Sequence, residues 1–438
     1  MPPLRRARPS GTRGPHLTRS HRYGATIDTA QRSPIAGDLA LDPFPGDALH
    51  RSFAAARRRG PAVWTTFLGA PALLLTSHAA VRAYLTDHAQ FPGGVIYRSA
   101  TRPHIGSTFI DLDGAEHDLV RRLVTPAFRS RSVRAFVETG LAPLVADVLG
   151  TLRSAGRREA DLAAEFAQVL PFSAIGRKLG LPRTSEARQR AWALAMLSAP
   201  TDPAGARRAA AAVTEFLAPH LQRARIAEGE GKGEGDDNGV IDDLVRREVD
   251  GRRLTDDELA AHVRLLYAVG ATTTSDALST LLHRVLSDPA LLDLARARPD
   301  LRAGMVAESL RMDPAVATLP RLADEDGRLV VPGSHGGSAA QVDIAAGTIV
   351  LCGIASANRD PDVFADPDSF DPTRDHGEML TFGLGQKYCP GAHLARRQLA
   401  AALDAIVDGL PNLSPMSLSE PCSAVLRRSD RLCVTWGG

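Results

Sequence analysis

Cysteine, lysine and aromatic side chains are all scarce in this chain of 438 residues. The four cysteines, Cys352, Cys389, Cys422 and Cys433, show no CxxC spacing, which argues against a structural zinc site. A large chain with its own core also has little use for disulfides, so most of these are expected to be reduced core thiols. Only Lys178, Lys232 and Lys387 are lysines among 52 cationic side chains, and 50 acidic ones leave a formal net charge of +2. Balanced charge with aromatics at 5% excludes a nucleic-acid-binding surface as the main business of the chain. The preference for arginine reads instead as the mark of a GC-rich genome. No stretch reads as a run of about 20 apolar residues, the length that spans a membrane. The start, "MPPLRRARPSGTRGPHLTRSHRYG", is basic but has no apolar core of a signal peptide, so a cytoplasmic protein is expected, with a transit peptide as the weaker alternative. No internal repeat is visible. What is present, 44% apolar and 23% charged residues, is the composition of an ordinary globular protein.

Residues 1–33 mix Arg, Pro, Gly and Ser without periodicity and read as a disordered tail, leaving 34–438 as one domain. A short helix over 46–59 precedes a hairpin, "AVWTTFLGAPALLLTS", with Gly69 and Pro71 at its turn, then a helix near 78–85. "FPGGVIYRSATRPHIGSTF" (91–109) has no sustained period and reads as a long loop, and "EGEGKGEGDDNG" (228–239) as an exposed one. Thr255 with Glu258 three residues later forms a capping box, predicting a long helix from Asp256 to about Ser287, where Pro289 stops it. Gly270 and Thr272–Thr274 are poor helix formers at its centre, where a bulge facing a ligand is expected. A helix over 299–312 carries Glu308 and Arg311 on one face. "GRLVV" and "QVDIAAGTIVLCG" read as a second small sheet, residues 358–379 as a meandering loop, and Ala392 to about Leu410 as a helix.

Cys389 stands in "FGLGQKYCPGAHLAR" (382–396), at the start of that last helix. An arbitrary cysteine is most often a buried structural thiol. Here Gly383, Gly385 and Gly391 permit close approach of something flat, and a helix N-terminus favours the thiolate that a metal ligand or nucleophile requires. A nucleophile would need a histidine base with an orienting partner, which spacing alone does not supply. A single thiolate ligand to haem iron is the better chemical fit.

The segment resembles the haem-binding loop of the cytochrome P450 superfamily, FxxGxxxCxG, through Phe382, Gly385, Cys389 and Gly391. Further resemblances follow in order from about Asp42 to the end. His117 and Arg121 match an HxxxR whose side chains meet the haem propionates, Arg321 in "LPRLA" resembles another propionate ligand, and Glu308 with Arg311 matches the structural ExxR. Lys387 stands where His or Arg is usual. The resemblance implies a mainly α fold with small β-sheets, a triangular helical prism holding haem b between the long central helix and the helix after the cysteine loop. It implies an O2- and NAD(P)H-dependent haem-thiolate monooxygenase acting on a largely apolar small molecule, in secondary metabolism, with Cys389 as the iron ligand, Gly383 in the haem bed, and Thr273 as the hydroxyl serving dioxygen. With no reductase domain or membrane anchor read in the chain, a monomer served by a ferredoxin and its NAD(P)H-dependent reductase is expected. Arg121, Arg122, Arg129, Arg131, Arg134, Lys387, Arg396 and Arg397 are candidates for the docking face. Ala268, Gly270, Val316 and Thr318 are expected at the substrate pocket, along with "RSATRPHIGSTF" (98–109), "AMLSAPTDPAG" (195–205) and "AVATLP" (315–320).

Two departures stand out. Ser369 occupies the place of an arginine that completes the ExxR triad, with Arg374 as one group that could compensate. Thr272 replaces the acid that normally precedes the Thr273 hydroxyl, so that Asp276 one turn further on, or the substrate, would have to supply protons; the alternatives are a peroxide-using or dehydratase haem-thiolate enzyme and, in another class, a haem-based sensor.

Overall fold

A computed structural model of the chain describes residues 33, 35–182, 186–229, 239–333 and 338–437. The expected N-terminal tail, except for Ser33, most of the Gly-rich run (230–238) and part of the Gly/Ser insert (334–337) lie outside the described residues. The body of the molecule is helical. The helix Asp256–Ser287 runs through its core, buried nearly all round because other helices enclose it. Helices Leu170–Leu179, Glu186–Leu197, Arg302–Met312 and Ala392–Gly409 pack on it. Its predicted capping box is formed: Thr255 Oγ1 accepts from the Glu258 amide at 3.3 Å, and the Thr255 amide donates to Glu258 Oε2 at 2.8 Å. The central bulge is absent. Thr272, Thr273 and Thr274 donate their hydroxyls to the carbonyls of Ala268, Val269 and Gly270 (2.8–2.9 Å), and the helix remains α throughout.

The strands are β1 (Ala62–Phe67), β2 (Ala70–Leu75), β3 (Glu159–Asp161), β4 (Leu319–Leu322), β5 (Gly327–Val331), β6 (Ala340–Ile344), β7 (Ile349–Cys352), β8 (Ser414–Leu418) and β9 (Leu432–Thr435). They form sheets in the orders β1-β2-β7-β4, β3-β9-β8 and β5-β6. The β1–β2 turn is Leu68–Gly69, both at positive φ (51° and 76°), and Pro71, expected in the turn, lies inside β2 opposite Thr66. The second sheet also differs from expectation. β5 and β6 pair with each other, but "IVLC" leaves them to lie parallel to β2 and antiparallel to β4. Three of its four residues are buried, which suits the middle of a sheet.

Two other expectations are corrected. The segment 91–109 contains short helices, Val95–Ala100 and Arg102–Ile105, whose six and four residues are too few to show a period in the sequence. One helical run, Ser130–Leu152, is long and apolar enough by length and composition to cross a membrane. Its Leu144, Val145, Val148 and Leu152 are buried in the helical core.

Losing the capping hydroxyl should register directly. Thr255→Ala is expected to cost about 1 kcal/mol in urea unfolding, and Thr255→Ser to restore most of it.

Candidate active site

The cysteine loop is closed by its own backbone, the Cys389 amide donating to the Phe382 carbonyl at 2.9 Å. Gly383 and Gly385 adopt left-handed angles (φ 71° and 70°), and a Cβ on Gly385 would stand 2.5 Å from His88 Nε2. That nitrogen accepts the Gln386 amide at 2.8 Å, so the loop is pinned to the end of the helix His78–Thr86. The amides of Gly391 and Ala392, at the start of the next helix, are directed at the Cys389 sulfur, with Arg121 and Arg396 nearby. Burial outweighs them and pushes the thiol up from its ordinary value, so the helix N-terminus alone does not deliver a thiolate. A coordinating metal ion removes the thiol proton outright.

Above the sulfur lies a cavity of about 490 Å³, within the range of small-molecule sites. Its far wall is a stripe of the central helix, positions 265, 266, 269, 270, 273, 274 and 277, the 3–4 spacing of one helical face. Thr273 and Gly270 lie on that stripe; Thr272 and Ala268 do not. Val316 lines the cavity, whereas Thr318 is fully buried elsewhere. All three segments expected at the pocket contribute, through Thr101 and His104, Met196 and Pro200, and Ala315 and Leu319. No acidic side chain lines it among the described residues.

The basic groups divide into two sets. Arg121 donates through Nη2 to the Tyr388 carbonyl, and its Nη1 is buried without a partner. His117, fully buried, is bonded through Nδ1 to Asp118 (3.0 Å), while its Nε2 also has no partner. Burial, reinforced by Lys387, lowers its pKa and favours the neutral ring. Arg321 donates to the Tyr97 hydroxyl (3.2 Å) and the Pro320 carbonyl (2.9 Å), and lines the cavity. Lys387 is different. Its ammonium is taken by the carbonyls of Phe109 (3.1 Å), Ile110 (3.1 Å) and Leu112, with Asp113 at 3.7 Å. Burial brings its pKa down to about 8 against the pull of Asp113. Lys387 thus anchors the 109–112 segment and is not held free for an anion. The unpaired buried donor on Arg121 costs about 1–3 kcal/mol if left so, and His117 Nε2, the acceptor nitrogen of the neutral ring while Nδ1 donates to Asp118, becomes a second donor once an anion beside it favours the protonated ring. Open donors, a thiol and an apolar slot fit a flat cofactor carrying acidic groups, which is the chemistry of haem.

Comparison with known proteins agrees. The family model for Cytochrome P450 matches residues 301–410. Cytochrome P450-SU2 of Streptomyces griseolus is 35% identical over 359 residues, covering 80% of this chain and 83% of that protein. The chain belongs to the cytochrome P450 family. Nocardicin C N-oxygenase of Nocardia uniformis subsp. tsuyamanensis is 31% identical over 417 residues, 92% of this chain and 98% of that one. The solved structure of the ligand-free P450 monooxygenase TamI superposes with a TM-score of 0.75 at 28% identity, covering 92% of this chain and 94% of its own. The protein is accordingly a haem-containing monooxygenase with the P450 fold.

In this P450 the ExxR pair is fully buried and bidentate, Arg311 Nε and Nη2 meeting Glu308 at 2.8 and 2.7 Å. The arginine missing at Ser369 is replaced by two groups: Arg374 Nε reaches Glu308 Oε1 at 3.1 Å and His376 Nε2 reaches Oε2 at 2.9 Å. The Asp371 amide adds a fifth contact at 3.0 Å. Burial alone would raise the Glu308 carboxyl, but Arg311, His376 and that amide hold it well below the carboxylate range. The expected docking face is thinner than its list. Arg121 and Lys387 turn inward, Arg396 lies over the Phe382 ring at 4.4 Å, and Arg122 pairs with Asp250 at 2.6 Å. Arg129, Arg131, Arg134 and Arg397 are exposed.

Sequence reasoning missed Thr274, Tyr97 and Gln398, which also line the cavity. Thr274 was visible as one residue beyond Thr273 on the same stripe; Gln398, two turns into the last helix, carried no signal. Glu308→Gln, which leaves Arg311 buried without its counter-ion, is expected to cost about 3–5 kcal/mol in unfolding. Arg374→Ala should cost about 1–3 kcal/mol, since His376 and Arg311 remain.

Proposed function

We propose that this P450 oxidises a largely apolar natural product, by hydroxylation or a related insertion, with Cys389 as the sole protein ligand to the haem iron. The observation that carries the reading is the cavity itself, with a cysteine sulfur at its floor and an apolar helix stripe bearing Thr273 opposite. Haem, when bound, supplies thiolate-supported activation of dioxygen. The chain's own residues do the rest. Cys389 is held by the amides of Gly391 and Ala392; His117, Arg121 and Arg321 offer donors for the propionates; the glycines at 383 and 391 leave room for the flat ring. Thr273 presents a hydroxyl to the cavity beside that of Thr274 and can pass on a proton by rotating away from the Val269 carbonyl. The lining favours neutral or anionic substrates over cationic ones, since it offers no carboxylate. The N-oxygenase relative, named for nocardicin C, supports a secondary metabolite as substrate.

Residues 34–438 form the catalytic domain in this reading, acting as a cytoplasmic monomer. Electrons come from a ferredoxin and its NAD(P)H-dependent reductase, the acidic ferredoxin meeting Arg129, Arg131, Arg134 and Arg397. The helix Ser130–Phe136 packs on the helix Ala392–Gly409 that follows Cys389, which keeps this basic surface on the sulfur side of the site.

Two experiments test these assignments. The reduced carbon-monoxide complex should show the red-shifted absorption of thiolate ligation, and Cys389→Ala should abolish it; a variant that kept the band would remove Cys389 from the iron. Electron transfer from ferredoxin should slow as salt rises, because exposed charges more than about 8 Å apart are screened at physiological ionic strength. Arg131→Glu should slow it further at low salt, and rates indifferent to both would make these arginines ordinary surface.

A further inference from the structure

A carboxyl group that the site description does not use lies one turn beyond Thr273. Asp276 is 4% exposed, and its Oδ2 is buried without a hydrogen-bond partner. It sits three residues after Thr273 and four after Thr272, the two spacings that make helix side chains neighbours. At about 100° per residue it lies roughly 60° around the axis from Thr273 and about 4.5 Å along it, on the flank of the cavity stripe. On its other side the charged groups that face it are Arg428 and Asp430, from the loop before β9. These two are paired at 2.8 Å and half-exposed, so the carboxyl stands between the solvent edge and the cavity wall. Ser429 reinforces the polar character of this edge. Its amide donates to Ser279 Oγ at 3.1 Å, that hydroxyl donates to the Asp276 carbonyl at 2.9 Å, and the Ser429 hydroxyl is itself buried and unpartnered.

We infer that Asp276 is the proton donor to the Thr273 hydroxyl in this enzyme, taking the part that an acid at position 272 would otherwise play. The inference rests on the monooxygenase reading of the cavity. Thr273 turns from the Val269 carbonyl toward Asp276 Oδ2, which is unpartnered at rest, and the proton then passes to the Thr273 oxygen as that hydroxyl releases its own proton into the cavity. The carboxylate left behind is reprotonated from solvent along the Arg428–Asp430 edge, so the protein ends as it began. Burial supports the assignment by lifting the carboxyl to about 7, against Arg428 and with Asp430, so that it holds a proton to give near neutrality. Its folded pKa is above the unfolded one. The folded state is therefore penalised progressively as pH rises from about 4 to about 7, and removing the acid relieves that penalty increasingly through this window and fully above it.

The test compares wild type, Asp276→Asn and Asp276→Glu as haem-loaded proteins. Infrared titration of the ferric wild type should show a buried protonated carboxyl band that disappears as pH passes about 7 and is missing in D276N. The melting temperature of D276N relative to wild type should rise between pH 5 and pH 8. With ferredoxin, reductase and NADPH but no substrate, D276N should release several-fold more peroxide per NADPH consumed, and D276E less than D276N. An unchanged peroxide share in D276N would overturn the inference, and so would a wild-type carboxyl that does not titrate near neutrality. Should D276N fail to fold, the wild-type titration and the D276E peroxide share decide the matter in the same way. The carbon-monoxide band separates this inference from the reading beneath it: if wild type lacks the thiolate signature, the cysteine assignment fails, whatever Asp276 does.

Discussion

The buried pair of Glu308 and Arg311 is the constraint on which the site depends. Arg311 reaches the Asn358 carbonyl at 2.8 Å, and the Asn358 side chain takes the Leu380 amide (2.7 Å) and donates to the Thr381 hydroxyl (2.9 Å). Thr381 in turn donates to the Leu310 carbonyl at 2.7 Å, returning to the helix that carries the pair. Phe382 is the next residue, and its carbonyl closes the cysteine loop. A meander with no regular structure of its own is thus fixed at both ends by one ion pair, and the position of the Cys389 sulfur follows from it. Two buried charges cannot be separated cheaply, which makes this an all-or-nothing anchor rather than an adjustable one.

The same logic explains why the basic groups behave differently. Lys387 has a flexible stem and a compact charge, and the nearby carbonyls of the 109–112 segment satisfy it completely. Arg121 and His117 are held by their helix at i and i+4, each with one nitrogen satisfied by the protein and the other left open. Lys387 orders a loop, and in the proposed site the pre-organised groups remain for the cofactor. Opposite them the central helix presents threonines whose hydroxyls rest on its own carbonyls, so the cavity wall is straight and the hydroxyls are free to turn.

Features decided by neighbouring residues could be read from the sequence. The Thr255 cap and its Glu258, the glycine spacing around Cys389 and the Pro289 stop are local chemistry, and all appear where expected. Features decided by distant partners could not. The arginine missing at Ser369 is made good by Arg374 and His376 across 66 and 68 residues from Glu308, and the choice between them depends on the path of the meander. Lys387 is diverted by carbonyls 275 to 278 residues away. β7 leaves its apparent partners because a buried apolar strand gains more between β2 and β4 than at an exposed hairpin, a competition invisible in the strand itself. Thr272 and Ala268 were legible as central-helix residues, but that neither faces the cavity depended on the rotation of the whole helix.

In our proposal the sulfur of Cys389 and the open nitrogens of His117 and Arg121 are the two ends of one cofactor site. A crystal structure of the haem-loaded enzyme tests this most directly. Cys389 Sγ is expected on the iron, with propionate oxygens within hydrogen-bond reach of His117 Nε2 and Arg121 Nη1; iron held by any other residue, or propionates turned away from both nitrogens, would overturn that assignment.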